Sequence, residues 1–439
     1  MVERCHSLRR TGGTVKSRGV GVVCIVVSSA VVGCGAVAND RAIRDEGRVV
    51  RARPWREVMG DIDAFQTVSH NNVTVYHPED LAPQAQQFAV LTARQLSHLQ
   101  EETGFEPRFP KINVYMKRTQ NIRRAIRDSA TFHFPPSDGA LEFILFVGAA
   151  DESCEGIVAA DLEYPCVLMH ELVELSLITL RGDYRWKTSW GWPKERLYFT
   201  RWFREGYANY CGFLAHRMTV FDDGSSRARF PAGVYQQAIH RHPFSSLARV
   251  GKDLFTWHQY YEDPTPWGPN PNLPHVGNTN IEYYDAALGL FLVMEDRYGR
   301  DAIRKVMDNV YRLEDGDGEA VKEIVNRVLG TDIVKLVEGF RFPETGLYMN
   351  ACWPGHTPYL SRDLPTKEGL SVQLVGPDSP AQRAGMSEGD VVISVDGQRT
   401  VTNLDFEFAL YERMHQKEVE LGVWREGVGA MSVQLKLDE

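Results

Sequence analysis

The chain runs to 439 residues, 43% hydrophobic and 24% charged, with a formal net charge of -9. That is about three times a typical ~150-residue domain, enough for two or three domains with cores of their own. The composition excludes a disordered, collagen-like or multi-span membrane chain, and the acidity argues against a nucleic-acid partner held on a broad basic face.

Residues 1–33 stand apart. Arg4, Arg9, Arg10, Lys16 and Arg18 precede an apolar run from Val20 to Val32, too short to span a bilayer and ordered like a secretory signal. The run ends in Val31-Val32-Gly33-Cys34, which resembles the bacterial lipobox. The resemblance implies a signal peptide over 1–33, lipidation of Cys34 and export as a membrane-anchored lipoprotein facing the periplasm or the exterior. Cleavage after Ala36-Val37-Ala38 is the alternative. Residues 34–64 are charged and aperiodic, as a tether would be. Cys154, Cys166, Cys211 and Cys352 lie beyond it. Four cysteines allow three full pairings, of which Cys154–Cys166 is the most local part; Cys211 also reads as a small buried residue.

From Phe65 the pattern is structured. Val73–Tyr76 alternates like a strand, Leu81–Thr103 has helical spacing and stops at Gly104, and Ile112–Met116 and Leu141–Val147 read as strands. Helices follow over Tyr164–Leu180, Trp202–Met218, Ile281–Tyr298, Asp301–Leu313, Glu319–Leu329 and Ile333–Phe340. Segments 222–233 and 262–280 are loops. The fold class is α+β: a small N-terminal sheet, a mostly helical lobe reaching residue 345, a linker over 346–366 and a mainly β domain over 367–439.

One helix carries Met169-His-Glu-Leu-Val-Glu174. Residues four apart share a helical face, so His170 and Glu174 can address one ion while Glu171 sits about 100° round. Val167, Leu168, Met169, Leu172, Val173, Leu175, Leu177 and Ile178 surround these ionisable groups, which therefore need a cation or a hydrogen-bonded network as partner. Downstream, Trp202-Phe-Arg-Glu-Gly-Tyr-Ala-Asn-Tyr210 places Glu205 and Asn209 one turn apart. The two segments together resemble the gluzincin, or peptidase-MA-like, metallopeptidases, with glutamate in place of the second histidine of H-E-x-x-H. The resemblance covers residues 65–345. It implies a metal held by His170, Glu174 and Glu205, Glu171 as the general base that activates a water, and Asn209 orienting His170. It further implies that one of Tyr283 and Tyr284, at the start of a later helix, steadies the oxyanion.

Two carboxylates would cancel the charge of a divalent ion. Zinc is the implied ion, with manganese or iron left open by the oxygen-rich donor set. A catalytically degenerate scaffold therefore stands beside the peptidase as a second reading.

From Gly369 short strands follow: Leu370–Val375, Val391–Val395, Val419–Trp424 and Ser432–Leu437, with a helix over Leu404–Met414. Ser379-Pro-Ala-Gln-Arg-Ala-Gly385 and Gly389-Asp-Val-Val-Ile-Ser-Val-Asp-Gly397 resemble a PDZ domain of the protease-associated type. The resemblance implies capture of peptide or protein chain ends by strand addition, with the cradle at Gly369 and Leu370. The pairing of the two domains is similar in architecture to the glycyl-aminopeptidase-like family.

Overall fold

The computed structural model describes residues 64–105, 111–119, 140–148, 169–170, 172–173, 177, 201–221, 242–261, 279–313, 318–351, 369–400 and 402–437. The signal, Cys34, the tether to residue 63, Cys154, Cys166, Cys352 and most of the two predicted loops lie outside them. Among the described residues no helix is long and apolar enough to cross a membrane.

The architecture is α+β, as the element order predicts. β1 (Gln66–His70) and β2 (Val73–His77) form an antiparallel hairpin whose turn uses Asn71 at φ 51°, a conformation that asparagine tolerates. β3 (Lys111–Thr119) lies parallel to β2, and β4 (Ala140–Gly148) parallel to β3, giving the order β1-β2-β3-β4. β1 escapes the sequence pattern because four of its five side chains are exposed and no alternation marks it. α1 (Ala82–Thr103) returns from β2 to β3, burying Phe88, Leu96 and Leu99. Gly104, at φ 69°, ends it in the left-handed form where a Cβ would be strained.

Helices build the rest of this lobe: α2 (Arg201–Phe221), α3 (Pro243–Val250), α4 (Thr279–Tyr298), α5 (Arg300–Val310), α6 (Gly318–Leu329) and α7 (Ile333–Glu338), with a 3-10 stretch at Gly251–Tyr261. α4 is buried on every side from Tyr283 to Met294, the mark of a central helix. Its small residues let neighbours in. A Cβ on Gly289 would stand 2.1 Å from the carbonyl oxygen of Pro243 in α3. A Cβ on Gly206 in α2 would meet the Phe291 ring of α4 at 2.9 Å. Phe203, Tyr207 and Tyr210 of α2 pack their rings on Phe291 at centroid distances of 5.5, 5.8 and 5.9 Å. Cys211, among them, is a free buried thiol whose pKa burial drives up. Each of the three full pairings requires Cys211, so none of them is present.

The C-terminal domain has the sheet order β10-β9-β7-β6-β5, with β8 on β7. Its strands are β5 (Leu347–Ala351), β6 (Leu370–Val375), β7 (Val391–Val395), β8 (Gln398–Arg399), β9 (Glu418–Arg425) and β10 (Gly429–Lys436). Its helices are α8 (Pro380–Arg383) and α9 (Asn403–Tyr411). α9 starts on a reciprocal cap: Thr402 Oγ1 accepts the Asp405 N–H, and the Asp405 carboxylate accepts the Thr402 N–H. β5 falls inside the interval expected to be linker and, among the described residues, ends the sheet on the side opposite β10.

α9 also faces the other lobe. Phe244 of α3 stacks on Tyr411 at 4.2 Å and meets Phe408 edge-on at 5.2 Å, while Phe408 stacks on Phe213 at 5.6 Å. Tyr411 donates its hydroxyl to Asp296 of α4 at 2.9 Å. The two domains thus share an aromatic seam.

Candidate active site

His170 and Glu205 meet in the helical lobe. Residues 169–170, 172–173 and 177 are helical, and Met169, Leu172 and Val173 anchor that helix in the core. α2 presents Glu205 opposite. The two side chains are 3% and 0% exposed, and His170 Nε2 lies 3.4 Å from Glu205 Oε2. Charge-assisted hydrogen bonds are shorter, about 2.7–2.9 Å. Two donors on one tetrahedral zinc, each bonded at about 2.0 Å, stand about 3.3 Å apart. The observed spacing is longer than a short charge-assisted hydrogen bond and lies within the separation that two donors on one ion would have.

The other oxygen of Glu205 is held from two sides. Arg204 Nη2 donates to Oε1 at 3.2 Å, and the Tyr284 hydroxyl donates to the same oxygen at 3.4 Å. Gly206 makes this possible, because only a residue without Cβ lets α2 and α4 approach closely enough. Asn209, one turn along α2, donates its amide to the carbonyl of Tyr284 at 3.3 Å. In this contact it ties the second turn of α4 to α2.

The two tyrosines make different contacts. Tyr284 reaches Glu205. Tyr283 lies along the Trp257 indole at 5.7 Å with 20° between planes, a packing contact. Tyr284 meets the same indole edge-on at 4.8 Å, which orients its ring towards the carboxylate.

Glu171 and Glu174 lie outside the described residues. Among the described residues there is no group of three His, Cys, Asp or Glu that could hold a metal; His170 and Glu205 form a buried pair. Arg204 carries no signal in the sequence pattern, because adjacent helical residues ordinarily point about 100° apart.

Gly369 and Leu370 are not positioned to receive a chain end by strand addition. β6 is an interior strand there: Leu370 faces Ala351 of β5 on one side and Val392 of β7 on the other, and Ser371 is likewise paired with Asn350 and Val391. Among the described residues the sheet ends in β5 on this side and in β10 on the other. Asn403 of α9 donates its amide to the Met349 carbonyl of β5 at 3.3 Å, so β5 and α9 lie side by side at this end of the sheet.

A polar cluster lies where α9 touches α3. Glu407 accepts the backbone N–H groups of Phe244 and Ser245 at 2.8 and 3.3 Å and also contacts the Ser245 hydroxyl. His242 Nδ1 lies 3.2 Å from Glu407, its Nε2 lies 3.2 Å from the Asn403 amide, and its N–H donates to Asp285 at 2.9 Å. Asp285 adjoins Tyr284, which brings this cluster within one residue of the Glu205 contacts.

No curated protein matches the chain. Among solved structures, an aminopeptidase N family protein from Idiomarina loihiensis is 14% identical over 85% of this chain and 67% of its own, with a TM-score of 0.39. The HtrA3 PDZ domain bound to a phage-derived ligand is 26% identical over 22% of this chain and 85% of its own, with a TM-score of 0.18. A serine endoprotease from Yersinia pestis is 21% identical over 24% of this chain and 32% of its own, again at 0.18. Residues 371–425 match the PDZ-domain family model, and the chain carries a PDZ domain at its C-terminal end.

Proposed function

We propose that the chain is an exported, lipid-anchored, metal-dependent peptidase whose PDZ domain takes up extended ends of peptide or protein substrates. The observation that carries the catalytic part is the buried meeting of His170 Nε2 and Glu205 Oε2 at 3.4 Å. These two residues, with Glu174 four positions after His170, are the set that would hold the ion. A bound zinc would supply a Lewis acid for the scissile carbonyl and lower the pKa of a water there.

The chain's own groups do the rest. Glu171 takes the proton from the attacking water. Arg204 and Tyr284 fix Oε1 of Glu205, which leaves Oε2 turned towards His170. Asn209 keeps Tyr284 in register with α2. The hydrophobic neighbours Met169, Leu172 and Val173 keep bulk water away and so strengthen each polar contact. Export and anchoring are supported by the Val31-Val32-Gly33-Cys34 sequence and its basic leader.

A second reading, a non-catalytic scaffold, is favoured by one contact. Arg204 gives the buried Glu205 carboxylate a cationic partner without any ion. The two readings separate on metal content. Purified full-length protein is expected to hold stoichiometric zinc, manganese or iron by emission analysis, and Glu171→Gln to keep the metal while abolishing peptide hydrolysis. Protein without stoichiometric metal, and a Glu171→Gln variant that behaves as wild type, would leave the scaffold reading.

A further inference from the structure

We propose that one face of α9 is a recognition site for a proline–aromatic segment. In this structure it is occupied by residues 242–245 of the chain itself, and an external segment of the same chemistry competes for it. Such a segment offers an aromatic ring directly after a proline, with the backbone N–H groups of the aromatic residue and its successor free to donate. Neither a metal nor a chain terminus enters this contact.

α9 serves two cores. Phe406, Ala409 and Leu410 belong to the core of the PDZ domain, whereas Phe408 and Tyr411 pack against the core of the helical lobe. Glu407 lies beside them and is buried. Among the described residues, every hydrogen-bond partner of its carboxylate comes from residues 242–245: the N–H groups of Phe244 and Ser245, the Ser245 hydroxyl and His242 Nδ1. Burial of a carboxylate is costly unless it is hydrogen-bonded. A carboxylate whose partners all lie in the other lobe is placed for recognition, not for the fold of its own domain.

Phe244 is the anchor. Its ring is fully buried, stacked on Tyr411 at 4.2 Å and on Phe342 at 5.8 Å, with Phe408 edge-on at 5.2 Å. A buried aromatic anchor flanked by paired polar groups is the anatomy of a binding hot spot. Pro243 at the first position of α3 has no N–H, so the donors that need an acceptor there are those of Phe244 and Ser245, which Glu407 takes. The Pro243 carbonyl is pressed against Gly289 of α4, so α3 stays with the helical lobe and the PDZ domain is the part that leaves. On release, Phe408 and Tyr411 beside a carboxylate form an apolar patch that draws a replacement. What is read is one ring and two backbone donors, which another chain can present as well as α3 does.

The test titrates a synthetic peptide of residues 242–250 into the full-length protein and its Phe244→Ala and Phe244→Leu variants, read by fluorescence anisotropy. The peptide carries fluorescein at its N-terminus and an amide at its C-terminus, so capture of a chain end adds nothing. Circular dichroism confirms that each protein is folded. In the wild type the tethered segment competes at a roughly millimolar effective concentration. The peptide is therefore expected to bind Phe244→Ala at least about tenfold more tightly than wild type, with Phe244→Leu between them. Adding Glu407→Gln to Phe244→Ala should remove most of that gain, because the acceptor of both N–H groups is weakened. A gain in affinity is not an outcome that structural damage produces, and Phe244→Leu carries the comparison if Phe244→Ala does not fold. Equal binding by wild type and the folded variants, or binding by none of them, overturns the proposal. No readout depends on a metal, so the metal reading stands or falls on its own.

Discussion

Oε2 of Glu407 accepts the backbone N–H of Phe244 at 2.8 Å, across 163 residues of chain and from one domain to the other. α3 has no side-chain cap of its own at His242, and Pro243 supplies no N–H at its first position. The PDZ helix therefore supplies the acceptor that the first turn of α3 lacks. Glu407→Ala is expected to lower stability by roughly 1–3 kcal/mol, the cost of leaving buried donors unpaired. It should also raise protease sensitivity at the domain junction. Urea denaturation and limited trypsin digestion measure both; unchanged values in each would show that the cap contributes nothing.

The same junction responds to pH. Burial opposes charge on His242, but the hydrogen bond and negative charge of Glu407, with Asp285, outweigh both burial and Arg249 and lift its pKa. A raised value in the folded state means that the stabilisation is full below the unfolded value of about 6.5 and is lost as pH climbs through the folded value. The urea midpoint should therefore be higher at about pH 6 than at about pH 8.5 through this group, and His242→Gln should flatten the difference.

Helix crossings are set by two glycines. Gly289→Ala places a Cβ 2.1 Å from the Pro243 carbonyl oxygen, and Gly206→Ala places one 2.9 Å from the Phe291 ring and 3.0 Å from the Ala287 carbonyl oxygen. Each should cost roughly 1–3 kcal/mol or more, with Gly289→Ala the worse because backbone cannot turn aside as a ring can. Chemical denaturation ranks them. On the proposed metal reading Gly206→Ala should in addition weaken metal binding, since it separates Glu205 from Tyr284.

If chain ends enter beside β5, Tyr348, which is 45% exposed on that strand, should contribute to the contact. Tyr348→Ala is expected to reduce binding of a fluorescent peptide library with free C-termini several-fold and leave the thermal midpoint unchanged. Gly369→Ala should instead destabilise the domain, because Gly369 has φ 138° and an added Cβ would lie 2.7 Å from Val391 Cγ1. Peptide binding that ignores Tyr348→Ala would contradict this location of the groove.

Much of the fold was legible where the signal was local. α1 declares itself by the spacing of Phe88, Leu96 and Leu99 and by Gly104, and β6 and β7 were placed to the residue. The meeting of His170 and Glu205 is legible only through the resemblance of their two segments to the gluzincin motifs; their apolar surroundings call for some partner without naming it. What escaped depends on distant neighbours. α3 is eight residues long and borrows its cap from Glu407, so Pro243 at its first position is a lone start signal without a capping side chain before it. β5 lacks a clean alternation, and its partner strand begins nearly twenty residues later, so the segment read as linker and the cradle was assigned to Gly369 and Leu370. Arg204 escaped because a charge beside a charge on a helix ordinarily points elsewhere.

The terminal position of β5 bears on how the protein can be cut. A fragment begun at residue 367 or 371 would discard Leu347–Ala351 and strip β6 of its outer neighbour. Leu370 and Val372, which are 0% and 1% exposed in the whole chain, would then border a raw flank of unsatisfied amides and carbonyls. Such a piece is primed to stick to copies of itself. An excised domain that stays monomeric has to begin upstream of Phe342, whose ring packs against both hydrophobic cores.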